Sequence, residues 1–219
     1  MNPPETSRKR DAQRTRSRIY QAARQEFGRH GYSGARIERI VRQSGCNIRL
    51  IYYHFGSKAA LYRTIVEDTY ADLRKQEAAI DLEQGQPWEC LERLLDFTMR
   101  YFADHPDVEG IIRSENDAGG RVVASSESIA QAGQLLMARL ATVIERGQQA
   151  SLFREGIVPA DLYLTITALC RFHLANSYTM SAILNRDLQD AQWREGWREH
   201  VHELIRRYVL QPEKLSTSV

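Results

Sequence analysis

The chain has 219 residues and a formal charge of +2, so it suits one or two domains with a substantial buried core. No apolar run approaches the ~20 residues that a bilayer requires, and Met1 to Arg18 is polar and basic, so neither a spanning helix nor a signal peptide is expected. Cys46, Cys90 and Cys170 are odd in number and lack paired or metal-like spacing, which fits a reducing cytoplasm better than a disulfide framework, and a soluble, cytoplasmic protein is expected.

The near-even charge balance hides a split along the chain. Residues 1–63 carry 14 Lys and Arg against 4 Asp and Glu, whereas the rest carries 16 against 24. One segment attracts polyanions and the other repels them. A solvated basic face accounts for a surplus of a few charges; here the surplus reaches ten.

Residues 1–10 read as a disordered basic arm. A helix is expected from Asp11 to His30, where Ile19, Ala22, Ala23 and Phe27 form one apolar stripe, with Gly31 as its cap. A second helix, Arg36 to Gln43, would bury Ile37, Ile40 and Val41. Ser44-Gly45-Cys46 makes a tight turn, and Asn47 is a suitable N-cap for a short helix ending at Phe55. Two short helices joined by a Gly-containing turn form a helix-turn-helix, whose second helix enters a major groove. That second helix, within Asn47-Ile-Arg-Leu-Ile-Tyr-Tyr-His-Phe-Gly-Ser-Lys58, sets Arg49, Tyr52, Tyr53 and His54 around the apolar anchors Ile51 and Phe55. Such tips donate to base edges and phosphates, and no catalytic step needs this set.

Together, Gly31-Tyr32, Ile37-x-x-Ile40, Ser44-Gly45-Cys46-Asn47 and Ile51-Tyr52-Tyr53-His54-Phe55-Gly-Ser-Lys58 resemble the DNA-binding domain of the tetracycline-repressor (TetR) family over about Arg14 to Glu67. The resemblance implies an all-α fold: a three-helix head, residues 11–60, that binds palindromic operators as a dimer, and a larger ligand-sensing and dimerising domain, residues 61–210. It implies that Arg49 reads bases, since its fork satisfies guanine O6 and N7 together. Tyr52 would reach a phosphate or thymine methyl, with Tyr53 beside it. His54 and Lys58 would hold the DNA backbone, Arg36 and Arg42 would touch phosphates, and Ile48 either packs or meets thymine methyls. The chain departs from the family where Ala35 replaces a capping Thr and Arg49 replaces a small residue, usually Gly.

Beyond the head, a connector helix is expected from Leu61 to Ile80. Further helices are expected from Pro87 to Asp104, on to Asn116, from Ser128 to Gln149, from Pro159 to Leu184 and from Asp190 to Leu210, making about nine in all. Residues 117–128 read as a loop and 211–219 as a flexible tail. Phe97, Tyr101, Arg113, Phe172, His173, Asn176 and Tyr178 mix aromatic walls with a few polar groups, the makeup of a small-molecule effector pocket or of an ordinary core. Trp193, Trp197, Val201, Leu204 and Tyr208 form one stripe that buries against its own core or a partner copy. In the resembled family these last helices are the dimerisation pair. Ser151-Leu-Phe-Arg, Asp161-Leu-Tyr-Leu and Ser181-Ala-Ile-Leu are similar to a subgroup that includes the pyrimidine-utilisation regulator, without naming a ligand.

Catalytic motifs do not form. Gly31-Tyr32-Ser33-Gly34 lacks the glycine spacing of a nucleophile elbow and any strand before it. Gly56-Ser57-Lys58 lacks the upstream glycine of a phosphate loop, and Glu115 and Asp117 are read as a carboxylate pair in sequence alone, with no basic partner expected to be placed for catalysis. No cofactor is expected, and His105, His173, His200 and His202 show no metal-ligand spacing. The expected partners are operator DNA, a second copy of the chain and an unidentified small molecule, with no membrane. The expected activity is ligand-released repression. The alternatives are activation, ligand-free regulation and a basic module that binds RNA.

Overall fold

The structure, a computed structural model, describes residues 5–212. Eleven helices and no strand lie among the described residues: α1 (Glu5–Gly34), α2 (Ile37–Ser44), α3 (Ile48–Phe55), α4 (Lys58–Ala78), α5 (Pro87–Asp104), α6 (Pro106–Asp117), α7 (Arg121–Ala124), α8 (Glu127–Gln149), α9 (Pro159–Ala175), α10 (Ser177–Leu184) and α11 (Ala191–Val209). The expectation of about nine is corrected at two places. The 117–128 segment contains the single turn α7, and the helix expected from Pro159 to Leu184 breaks at Asn176, giving α9 and α10. The basic arm is corrected too, because α1 is already helical at Glu5. The 1–4 part of that arm and the 213–219 part of the tail lie outside the described residues.

The chain divides into two compact units, one holding the residues up to Asp72 together with Pro106–Ala130, the other Leu73–His105 with Gln131 onward. The first unit thus draws on more chain than residues 11–60. Its core joins Ile19, Ala23 and Phe27 of α1 with Ile37 and Ile40 of α2, Ile51 and Phe55 of α3, Leu61 and Ile65 of α4, Ile111 of α6 and Val122 of α7. Val41, expected in that core, packs at its edge and is half-buried.

Three local contacts tie the elements of this unit together. Gly110 of α6 meets Gly28 of α1 so closely that a Cβ on Gly110 would lie 1.9 Å from the Gly28 carbonyl oxygen. Ser114 of α6 accepts two hydrogen bonds at its Oγ, from the Tyr32 backbone N–H at 2.9 Å and from the Tyr62 hydroxyl at 3.1 Å. Burial pushes the Tyr62 phenol up to about 12, which keeps it a donor. Glu115, buried beside Ser114, accepts the Val122 N–H that opens α7.

The second unit packs Leu91, Leu94 and Leu95 of α5, Leu140, Val143 and Ile144 of α8, Leu162, Ile166 and Cys170 of α9, and Val201, Ile205 and Val209 of α11. Pro87 stands at the first turn of α5 behind a capping box between Gln86 and Glu89. Residues 79–86 follow the end of α4, and most of their backbone is non-helical. Their carbonyls are met by arginines: Arg139 on Ile80, Arg146 on Leu82, Glu83 and Gly85, and Arg93 on Asp81 and Gln84. Those bonds supply the partners that the backbone of a turn lacks.

Candidate nucleic-acid interface

The recognition surface follows from which face of α3 the core takes. Ile51 and Phe55 point inward, four residues apart, and Ile51 is fully buried. The intervening positions therefore face out. Arg49 and Tyr52 are exposed, Tyr53 is 80% exposed, and Ile48 and Leu50 stand partly clear of the surface. Asn47 caps α3 as its position predicts, its Oδ1 accepting the Arg49 N–H at 2.9 Å. Gly45 holds the turn between α2 and α3 with φ 62°, in the left-handed region where a glycine carries no Cβ penalty.

The start of α2 shows a contact that sequence reading missed. The N-cap residue Arg36 has no capping side-chain bond of its own. Instead the buried Glu26 of α1 accepts the Arg36 N–H at 2.9 Å and binds the Arg39 guanidinium at 2.6 Å with the same Oε1. Burial pushes the Glu26 carboxyl upward. The bonds from Arg39 and the Arg36 backbone, with the Arg39 charge, outweigh it and hold the group below its ordinary value. The carboxylate thus replaces the Thr cap absent at Ala35. The only signal in the sequence is a Glu on the otherwise apolar stripe of α1.

Arg36 and Arg42 are exposed on α2. His54 is half-buried, with its ring 5.1 Å from that of Tyr53. Lys58, half-buried at the start of α4, places its ammonium 4.7 Å above the Tyr32 ring. All nine nucleic-acid residues read from the sequence, Arg36, Arg42, Asn47, Ile48, Arg49, Tyr52, Tyr53, His54 and Lys58, thus fall between the N-cap of α2 and the first residue of α4. Every one is exposed or half-buried.

The effector-pocket candidates are scattered by comparison. Phe97 and the buried Tyr101 stack at 5.5 Å, and Tyr101 stacks on His105. His173 is buried against Trp193 and Trp197. Burial holds its imidazole below the ordinary histidine range. Phe172 and Tyr178, however, are 56% and 82% exposed, Asn176 bonds the Phe172 carbonyl, and Arg113 is exposed on the first unit. The reason is helical register. Leu162, Ile166, Cys170 and His173 take the inner face of α9, which turns Leu164 and Phe172 outward.

The expected dimer stripe divides as well. Val201 is fully buried in the core of its own unit, and Trp197 donates its indole N–H to the Leu169 carbonyl at 3.1 Å. Trp193 stacks on Trp197 and is half-buried, whereas Leu204 and Tyr208 are exposed. Further large apolar side chains of this unit are exposed, among them Leu164 and Phe172 of α9 and Tyr178, Ile183 and Leu184 of α10. Leu164, Ile183 and Leu184 entered the sequence reading only within the motifs Asp161-Leu-Tyr-Leu and Ser181-Ala-Ile-Leu, not as exposed apolar positions.

A groove of about 720 Å³ runs along the start of α11, lined by Arg186, Asp187, Asp190, Trp193, Glu195 and Glu199 among others. Among the described residues, no group of three or more His, Cys, Asp or Glu is placed to hold a metal ion. No described helix is long and apolar enough to cross a membrane.

Comparison with known proteins agrees with this architecture. The family model described as bacterial regulatory proteins, tetR family, matches residues 19–65, and that described as tetracyclin repressor-like, C-terminal domain, matches residues 87–205. The HTH-type transcriptional repressor NicS of Pseudomonas putida is 34% identical over 200 residues, spanning 91% of this chain and 94% of that protein. The HTH-type transcriptional repressor SCO4008 of Streptomyces coelicolor is 31% identical over 163 residues, 74% of this chain and 80% of its own. Among solved structures, a TetR transcriptional regulator from Chloroflexus aurantiacus superposes with a TM-score of 0.67 at 20% identity, over 92% of this chain and 98% of that one. A transcriptional regulator from Saccharomonospora viridis, solved in complex with choline, gives 0.67 at 19%, over 90% and 97%. These two show a shared fold. The chain belongs to the tetracycline-repressor family of DNA-binding transcriptional regulators.

Proposed function

We propose that the chain is a repressor that binds a palindromic operator as a homodimer and leaves it when a small molecule occupies the carboxyl-terminal domain. The observation that carries the reading is the outer face of α3, where Arg49, Tyr52 and Tyr53 project from a helix fixed by its Asn47 cap and by Ile51 in the core. Arg49 reads a guanine through both acceptors, and the surrounding cations hold phosphates. The excess of cations in residues 1–63 makes binding fall steeply with salt through counterion release. Two features support the dimer: the exposed apolar side chains on α9 and α10, and the need of a two-fold operator for two heads. Repression follows the two relatives, both named as repressors. Effector release is what the family resemblance implies.

The test begins with selection of duplexes from a randomised pool, followed by gel shifts of an enriched duplex against a structured RNA of equal length. The expected result is an inverted-repeat consensus that outcompetes the RNA. Stronger RNA binding would sink the reading. An Arg49→Ala variant that keeps the wild-type sequence preference would remove Arg49 from the base-reading role.

A further inference from the structure

The charged surface that the helix-turn-helix leaves unexplained is the amino-terminal part of α1. Two arginines tie α1 to the reading elements on its opposite flanks. Arg16 lies 5.0 Å over the Phe55 ring at the end of α3, and Arg18 donates to the Ser44 carbonyl, the last of α2. Gln25 and Gln43 pair on the same side as Arg18. From this double attachment α1 continues toward its amino end as unbroken helix, where a disordered arm was expected from the sequence. Continuity puts Arg10 and Arg14 in register with Arg18 at i, i+4 and i+8, one ridge along a single flank. Both are exposed, and Arg10 lies roughly 12 Å beyond Arg18 along the helix axis. Asp11 is the single carboxylate between Thr6 and Arg18, so the ridge stays strongly positive.

We infer that Arg10 and Arg14 grip duplex-DNA phosphates that flank the segment read by α3, extending each half-site outward. The inference rests on the operator reading above. Arg18 is already committed to the Ser44 carbonyl and serves as the hinge pin of the ridge, which sets where the two outer guanidiniums point. A rigid ridge places its charges without the ordering cost of a disordered arm. It carries no sequence information and acts on affinity alone.

The test compares the wild type with the R10Q/R14Q variant on one duplex enriched from the randomised pool. The duplex is used at about 40 base pairs and again trimmed to its inverted repeat, between 50 and 200 mM KCl. Each lost phosphate contact lowers the slope of log K against log salt by about 0.9. The variant should therefore lose about 1.8 per protomer, about 3.6 for a dimer on the inverted repeat, so its affinity falls about 150-fold less over that range. Trimming should weaken the wild type and leave the variant unchanged, and both should rank operator point mutants alike. Equal slopes, or equal sensitivity to trimming, overturn the inference. Circular dichroism of the variant confirms that α1 is intact; loss of helix with a lowered slope assigns the contact to the fold of the arm and overturns the ridge. Failure to enrich any duplex removes the operator reading itself, and this inference with it.

Discussion

Glu26 caps a helix to which it does not belong: its Oε1 accepts the backbone N–H of Arg36, ten residues further on, at 2.9 Å. The same oxygen holds Arg39, so one buried carboxylate of α1 fixes both the start and the first turn of α2. Glu26→Ala should destabilise the protein by about 2–3 kcal/mol, the sum expected for a lost cap and a lost charge-assisted bond. Glu26→Gln keeps an acceptor for the Arg36 N–H and should cost roughly half of that. Because the carboxyl is held below its ordinary value, its contribution is complete above the unfolded-state range and is lost as pH falls through the folded-state value. Urea titrations at pH 7 and pH 3 should therefore show the gap between wild type and Glu26→Gln closing in acid. A gap that stays constant with pH would remove the ionised carboxylate from the account.

The crossing of α1 and α6 sets a second expectation. A methyl group on Gly110 would fall 1.9 Å from the Gly28 carbonyl oxygen, so the two helices have to separate before Gly110→Ala can fold. Overpacking of backbone against backbone leaves no rotamer to relieve it, and a loss of about 3 kcal/mol or more is expected. Gly133 lies inside α8 with open space where its Cβ would sit. Gly133→Ala should instead stabilise by about 0.5–1 kcal/mol through helix propensity. Thermal melts of the two variants should move in opposite directions, and a Gly110→Ala variant as stable as wild type would contradict the close crossing.

What could be read from the sequence follows the range of the interactions involved. The apolar registers of α2 and α3 and the Asn47 cap are local, set by residues two to four positions apart, and they emerged directly. The Glu26 cap was hidden because a carboxylate ten residues upstream has no partner in sequence terms until α1 and α2 pack. The stripe on α11 was visible, but periodicity does not say what covers it, and Val201 proved to serve its own core while Leu204 and Tyr208 remained outside. Phe172 and Tyr178 had the composition of a pocket wall, yet helix register turned both to the surface. The break between α9 and α10 at Asn176 carries no proline or glycine to announce it.

Arg49 and Lys58 should fail in different ways when removed. Arg49 is exposed on α3, where a fork reaches base edges, so Arg49→Ala should cost about 1–3 kcal/mol on the selected duplex and flatten preference at one base pair of each half-site. Lys58 sits over Tyr32 beside the head's surface as a point charge. Lys58→Gln should weaken all duplexes by a similar factor and reduce the salt slope by about 0.9 per site, with the consensus unchanged. Binding assays on the consensus and its single-base variants at two salt concentrations separate the outcomes. A shifted consensus for Lys58→Gln would reassign it to base reading.

The exposed apolar side chains on α9 and α10 give the last expectation. Phe172 and Ile183 are 56% and 70% exposed, so polar replacements there remove little from the protomer's own core. If a second copy covers them, Phe172→Ser together with Ile183→Asp buries a charge and forfeits apolar contact at the interface. A buried unpaired carboxylate in such a setting costs several kcal/mol, enough to shift a dimer to monomer at micromolar concentration. Light scattering after size exclusion should report a mass near 25.2 kDa for the variant and twice that for the wild type. Affinity for an inverted repeat should fall with it, while affinity for an isolated half-site stays the same, because each head of the first unit is untouched. An unchanged dimer mass for the double variant would move the interface elsewhere on the chain, with Leu204 and Tyr208 of α11 the next residues to replace.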